Sequence, residues 1–84
     1  MSTVEHTYVP KEDRKNAILR FLDESDLVLP PSAIYINMEL RGATFSERTV
    51  HRLLSEMLEE GLVEKPMRGY YRITDGGKDR IDSQ

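Results

Sequence analysis

Two arginines four residues apart are the side chains here best suited to chemistry. Arg48 and Arg52 lie in the run Ser46-Glu47-Arg48-Thr49-Val50-His51-Arg52-Leu53-Leu54-Ser55. Residues at that spacing are neighbours on a helix surface, so both guanidinium groups can enter one groove. A guanidinium donates two parallel hydrogen bonds in a geometry that matches guanine O6 and N7, which an ammonium does not reproduce. A second basic group follows in Lys65-Pro66-Met67-Arg68-Gly69-Tyr70, where an arginine on a turn tip suits a phosphate or the minor groove. The chemistry implied is recognition of double-stranded DNA. The candidate contacts are Arg41, Thr44, Ser46, Arg48, Thr49, His51, Arg52, Ser55, Lys65, Arg68 and Tyr70. The plainer alternative is a solvated helix face, because surface helices commonly carry Arg and Glu.

Other chemistries find little support. The 84 residues include no cysteine and only two histidines, so no thiol nucleophile or disulfide framework is available. His6 and His51 belong to no metal-ligand spacing. No serine sits in an elbow motif, and Gly76-Gly77 lacks the spacing of a phosphate loop. A chain of this size builds one modest core, with little room for a water-excluding pocket. The expectation is a non-enzyme with no catalytic residue, no metal and no cofactor. No apolar run approaches a membrane span, and the first residues lack a signal pattern. A cytoplasmic, nucleoid-associated protein is expected. The net charge of -3 argues mildly against a general nucleic-acid coater, but distribution matters more than the sum. Asp23, Glu24 and Asp26 form one acidic cluster and Glu56, Glu59 and Glu60 another, while Arg41, Arg48, Arg52, Lys65, Arg68 and Arg72 gather around the candidate contacts.

These residues need a scaffold. Ser46 is a good N-cap and Gly61 a good helix terminator. Between them Val50, Leu53, Leu54, Met57 and Leu58 follow the i, i+3, i+4, i+7, i+8 pattern of a buried stripe. The outer face is therefore basic in its N-terminal half and acidic in its C-terminal half. Ahead of this helix, Lys11 to about Glu24 reads as a first helix with Ala17, Ile18, Phe21 and Leu22 inward. Leu19 lies off that centre, as peripheral core or as part of a dimer contact. Leu27-Val28-Leu29 is a short apolar run, able to add a third strand, that Pro30-Pro31 stops. Pro31 to Leu40 reads as a second helix with Ala33, Ile34, Asn37 and Leu40 on one side and Tyr35 and Glu39 outward. The Asn37 amide is expected to satisfy a nearby backbone group. Gly42 permits a sharp turn, and Phe45 can staple the entry to the third helix. Leu62–Lys65 and Gly69–Thr74 read as a hairpin with Tyr71 and Ile73 on one face. Thr74 or Asp75 can cap a last helical turn that Gly76 and Gly77 weaken. Residues 1–10 read as a flexible arm in which Val4, Tyr8 and Val9 can dock on a partner subunit, and 11–82 as one domain.

The order helix, short strand, helix, turn, helix, hairpin resembles a winged helix-turn-helix domain, an α+β fold with a three-helix core, a hairpin wing and a short C-terminal helix. Ile34 with Asn37, Arg41-Gly42-Ala43-Thr44-Phe45-Ser46, Thr49-Val50, Leu53-Leu54-Ser55-Glu56, Gly61-Leu62-Val63-Glu64 and Gly69-Tyr70-Tyr71-Arg72-Ile73-Thr74 are similar to the small phage-repressor-like winged-helix proteins of haloarchaea. The resemblance covers about Lys11 to Ile81. It implies that the third helix (46–60) reads the major groove and that the wing (65–70) touches backbone or minor groove. It also implies a transcriptional regulator, with repression by promoter occlusion as the expected mode. A homodimer on an inverted-repeat operator, with no small-molecule ligand, is the expected working form. The rival is a winged helix used for protein–protein contact in a transcription or chromosome-maintenance complex.

Overall fold

The computed structural model describes residues 10–83. The arm expected over 1–10 thus lies, Pro10 apart, outside the described residues. The elements run α1 (Lys11–Ser25), α2 (Pro31–Leu40), α3 (Glu47–Glu59), β1 (Val63–Met67), β2 (Tyr70–Ile73) and α4 (Asp75–Asp82). Their ends follow local chemistry. Pro31 opens α2, where its missing N–H and fixed φ cost nothing. α1 stops at Asp26, whose φ of 53° is left-handed and whose N–H donates to the Leu22 carbonyl at 3.0 Å. α3 runs from the Ser46 cap to Glu60 and is closed by Gly61 at φ 78°, a conformation that strains any residue with a Cβ.

The core forms where α1, α2, α3 and the hairpin meet. Ile18, Leu19, Leu22, Ile34, Val50, Leu53, Leu54 and Met57 are wholly excluded from solvent, and Val63, Tyr71 and Ile73 close the hairpin side. Leu19 is fully buried, which decides for the core and against the dimer contact. Two other sequence expectations change. Leu58 is exposed rather than part of the α3 stripe. At about 100° per residue it stands about 90° from the middle of Val50, Leu53, Leu54 and Met57, beyond the edge of the core. In α2 the buried line is Ile34 with Met38, while Leu40 is 80% exposed and Tyr35 packs partly against the core. The choice between those α2 faces was weakly specified because both carry apolar residues. The Asn37 amide donates to the Ala33 carbonyl at 2.8 Å, as expected.

The hairpin pairs Val63 with Ile73, Glu64 with Arg72 and Met67 with Tyr70. The register shifts between Glu64 and Met67, so Lys65 and Pro66 together oppose Tyr71. A bulge there suits Pro66, which has no N–H for the ladder. The strand continues through Met67, so the tip is Arg68-Gly69 and not Pro66-Met67-Arg68. The expected third strand is reduced to one bridge: Leu29 and Tyr71 exchange backbone hydrogen bonds at 2.9 and 2.8 Å.

α4 packs back over this hairpin. The Thr74 hydroxyl accepts from the Gly77 N–H at 3.1 Å and donates to the Gly61 carbonyl at 2.6 Å. Gly77 is more than a weak helix former. A Cβ there would stand 2.3 Å from the Leu62 carbonyl oxygen and 2.7 Å from Ile73, so the close approach of α4 requires glycine.

Candidate nucleic-acid interface

The N-terminal end of α3 is held by its own sequence. Ser46 Oγ accepts from the Thr49 N–H at 3.2 Å and lies 3.2 Å from Thr49 Oγ1. Glu47 occupies the first turn, where the positive end of the helix favours a carboxylate. His51 Nε2 stands 3.6 Å from Glu47. Since Val50, Leu53, Leu54 and Met57 are buried, Arg48, His51, Arg52 and Ser55 are turned to solvent. The sequence-predicted helix residues therefore share one exposed surface, with Ser46 and Thr49 occupied by the cap.

The turn before α3 is more engaged than expected. Arg41 is paired with Glu24 at 2.8 Å, and its guanidinium lies 4.9 Å from the centre of the Phe21 ring. Thr44 is exposed. Phe45 is half-buried under the Arg14 guanidinium, 5.6 Å from the ring centre. On the wing, Arg68 is exposed at the turn, Lys65 lies 5.5 Å above the Tyr71 ring, and Tyr70 is 38% exposed opposite Met67. Arg72 is held by Glu64 at 2.5 Å, so it belongs to the hairpin ladder.

Ion pairing sorts the cations. The chain has twelve lysines and arginines. Among the described residues, Arg48, Arg52, Arg68 and Lys78 make neither an ion pair nor a ring contact. Lys78 is on α4; the other three fall on the α3 outer face and the wing tip.

The acidic C-terminal part of α3 has a different use. Lys15, only 2% exposed, reaches Glu60 at 2.9 Å and Glu56 at 3.2 Å, and Lys11 reaches Glu56 at 3.3 Å. Burial opposes the Lys15 charge, but the hydrogen bonds it donates to Glu60 and Glu56 outweigh it, and the ammonium pKa is raised. The Lys15 and Lys11 hydrogen bonds hold Glu56 below the ordinary carboxylate value. Arg80 of α4 donates to Asn16 at 2.9 Å and pairs with Glu12, whose pKa it lowers. These side chains form a seam joining α1 to α3 and α4. A signal for it is present in the sequence: Lys11 and Lys15 share the four-residue spacing of Glu56 and Glu60, so two helices packed side by side can match them.

The sequence matches the ribonuclease R winged-helix domain family over residues 16–81. No curated protein matches it. Among solved structures, the ferric uptake regulator from Francisella tularensis, determined with iron, is similar at a TM-score of 0.64 and 17% identity. The alignment covers 90% of this chain and 59% of that one. A likeness at that identity establishes a shared fold. The winged helix expected from the residues is thereby established. The matches do not extend to the haloarchaeal phage-repressor-like group.

Proposed function

The chain belongs to the ribonuclease R winged-helix domain family, and we propose that it is a binding module that reads double-stranded DNA sequence-specifically as a transcriptional regulator. In this reading α3 enters the major groove and the 65–70 wing lies on the backbone or minor groove. Residues 11–82 form the binding unit. A homodimer on an inverted repeat, of the phage-repressor-like kind, represses by covering promoter DNA. The supporting observation is the distribution of unpaired cations. Arg48, Arg52 and Arg68 have no anionic partner among the described residues, while the carboxylates Glu56 and Glu60 on the same helix are occupied by Lys15. The net charge of -3 is a sum over the whole chain, and two of the carboxylates toward the C-terminal end of α3, Glu56 and Glu60, are already paired with Lys15.

Selection of bound sequences from random duplex DNA, followed by affinity measurements at several salt concentrations, tests the reading. The expected result is an enriched motif with two-fold symmetry and an affinity that falls steeply with salt, about one contact per neutralised phosphate. An enriched motif without symmetry removes the dimer. The family bears the name of a ribonuclease, so structured RNA is the competitor. Tighter binding to RNA than to any duplex, or no retention of duplex at low salt, overturns the proposal, the latter in favour of a protein-contact module.

A further inference from the structure

The wing ends on an exposed apolar pair. Counted by strict alternation from buried Val63, Met67 would turn toward the core. The register shift between Glu64 and Met67 inserts one extra residue, so Met67 instead faces Tyr70 across the turn. Partners directly opposite in an antiparallel pair share a face. Here it is the outer one, since Tyr71 and Ile73 occupy the inner. Met67 is 60% exposed, and Tyr70 is open beside it. Between them the turn carries Gly69 at φ 82° and Arg68, which is exposed and makes no ion pair or ring contact among the described residues. One pair further down the same face, Arg72 is neutralised by Glu64. The outer face of the hairpin is thus charged and closed on itself at Glu64 and Arg72, then apolar and open at its end.

A tip that is only solvated gains nothing from a bulge that turns a methionine into water. The partner of this tip must offer apolar surface and negative charge within the width of one turn. The minor groove of duplex DNA does so: it is about 6 Å wide, walled by sugars and base edges and rimmed by phosphates. We propose that Met67 is a wedge that enters the minor groove and partly opens one base step, with Tyr70 against the neighbouring sugar and Arg68 on the flanking phosphate. The bound duplex is then kinked toward its major groove. An unbranched, flexible side chain suits such a wedge. Unstacking costs least at pyrimidine–purine steps, so the wing contributes sequence preference without a hydrogen bond to any base. This rests on the reading of the chain as a duplex-DNA binder and adds a source of specificity that α3 does not supply. A protein partner would accept the apolar pair but give no common use to the unpaired Arg48, Arg52 and Arg68, which phosphates do.

The test uses the full chain and a duplex carrying the site selected from random DNA, labelled at its two ends with donor and acceptor dyes. Each step flanking the motif is set in turn to TA or AA. The expected result is a bend of about 20–90° by energy transfer. At one flanking step the TA duplex should bind about tenfold more tightly than the AA duplex. Met67→Ala should remove both the bend and the preference, with an unchanged melting curve because the side chain is exposed. Met67→Leu, which keeps an apolar wedge of similar size, should retain them. Arg68→Ala should weaken TA and AA duplexes alike and keep the bend. A straight duplex in the wild-type complex, or a bend and step preference that survive Met67→Ala, overturns the wedge and leaves sequence reading by α3 standing. Failure of the wild-type chain to retain any duplex overturns the DNA reading and the wedge with it.

Discussion

The two long faces of α3 both carry charged side chains and put them to opposite uses. On the face toward α1, Glu56 and Glu60 meet Lys11 and Lys15, and the pairing continues through Glu12 and Asn16 to Arg80 of α4. On the face away from the core, Arg48 and Arg52 meet no partner among the described residues. Lys15, enclosed between packed elements, has lost its water and must be paired to stay ionised. Charges on an open face keep their water and stay available to a ligand. The helix turns Glu56 toward α1 and leaves Arg48 and Arg52 outward, so the presence of a partner on the neighbouring helix separates a structural ion from a binding one.

The largest effect that can break this contrast comes from the stripe that orients α3. Leu54 has no solvent exposure, and Leu54→Ala should destabilise by about 2–5 kcal/mol through lost burial and a residual cavity. In a domain of this size that is a fall in Tm of about 4–8 °C per kcal/mol. An unchanged melting curve would mean that α3 is rotated and that the two faces exchange roles.

Gly77→Ala probes the far end of the seam. Helix propensity alone predicts stabilisation by about 1 kcal/mol. The 2.3 Å approach to the Leu62 carbonyl predicts the opposite, a loss of about 1–3 kcal/mol from overpacking. A higher Tm would show that α4 is not pressed against the hairpin.

Binding measurements sharpen the contrast directly. Arg52→Ala should cost about 1–3 kcal/mol on the selected DNA site and relax preference at one base pair. Arg68→Ala should weaken all sequences alike and lower the salt slope by about one contact. Both should leave stability within about 0.5 kcal/mol. Lys15→Ala should reverse the pattern, lowering Tm without changing the salt slope. Equal weakening of selected and scrambled DNA by Arg52→Ala would show that this arginine does not read bases.

The smallest effect is in pH. Glu12 and Glu56 are held below the ordinary glutamate value of 4.5 by Arg80 and by Lys15 with Lys11. Their contribution is complete above that value and is lost as pH falls through the lower folded-state values. Lys15, raised above the ordinary lysine value of 10.5, contributes fully below it and loses that contribution as pH rises through the higher folded value. Urea unfolding across the acid range should show the loss, and Glu56→Gln should flatten it. An acid limb unchanged by Glu56→Gln would mean the seam contributes nothing through that carboxylate.

What could be read in the sequence was local. Ser46 and Gly61 bound α3, Val50, Leu53, Leu54 and Met57 mark its inner stripe, and Asn37 and Thr74 satisfy backbone groups within one turn. Each depends on neighbours a few residues away, so periodicity and capping rules suffice. The outward placement of Arg48, His51, Arg52 and Ser55 follows from the stripe opposite them. Three apolar residues were harder to place. Leu19, Leu40 and Leu58 are equally apolar, yet the first is buried and the other two are exposed, because a helix cannot say which flank its neighbours will cover. The tertiary structure alone decided the partners of Lys15 and Arg80, which lie 45 and 64 residues away along the chain. It also decided that Gly77 is needed for close packing and that Arg14 hangs over Phe45 without an acceptor for its Nε. Those facts arise from surfaces meeting across the fold, where distance and lost hydration set the energies, and neither quantity is written in the order of residues.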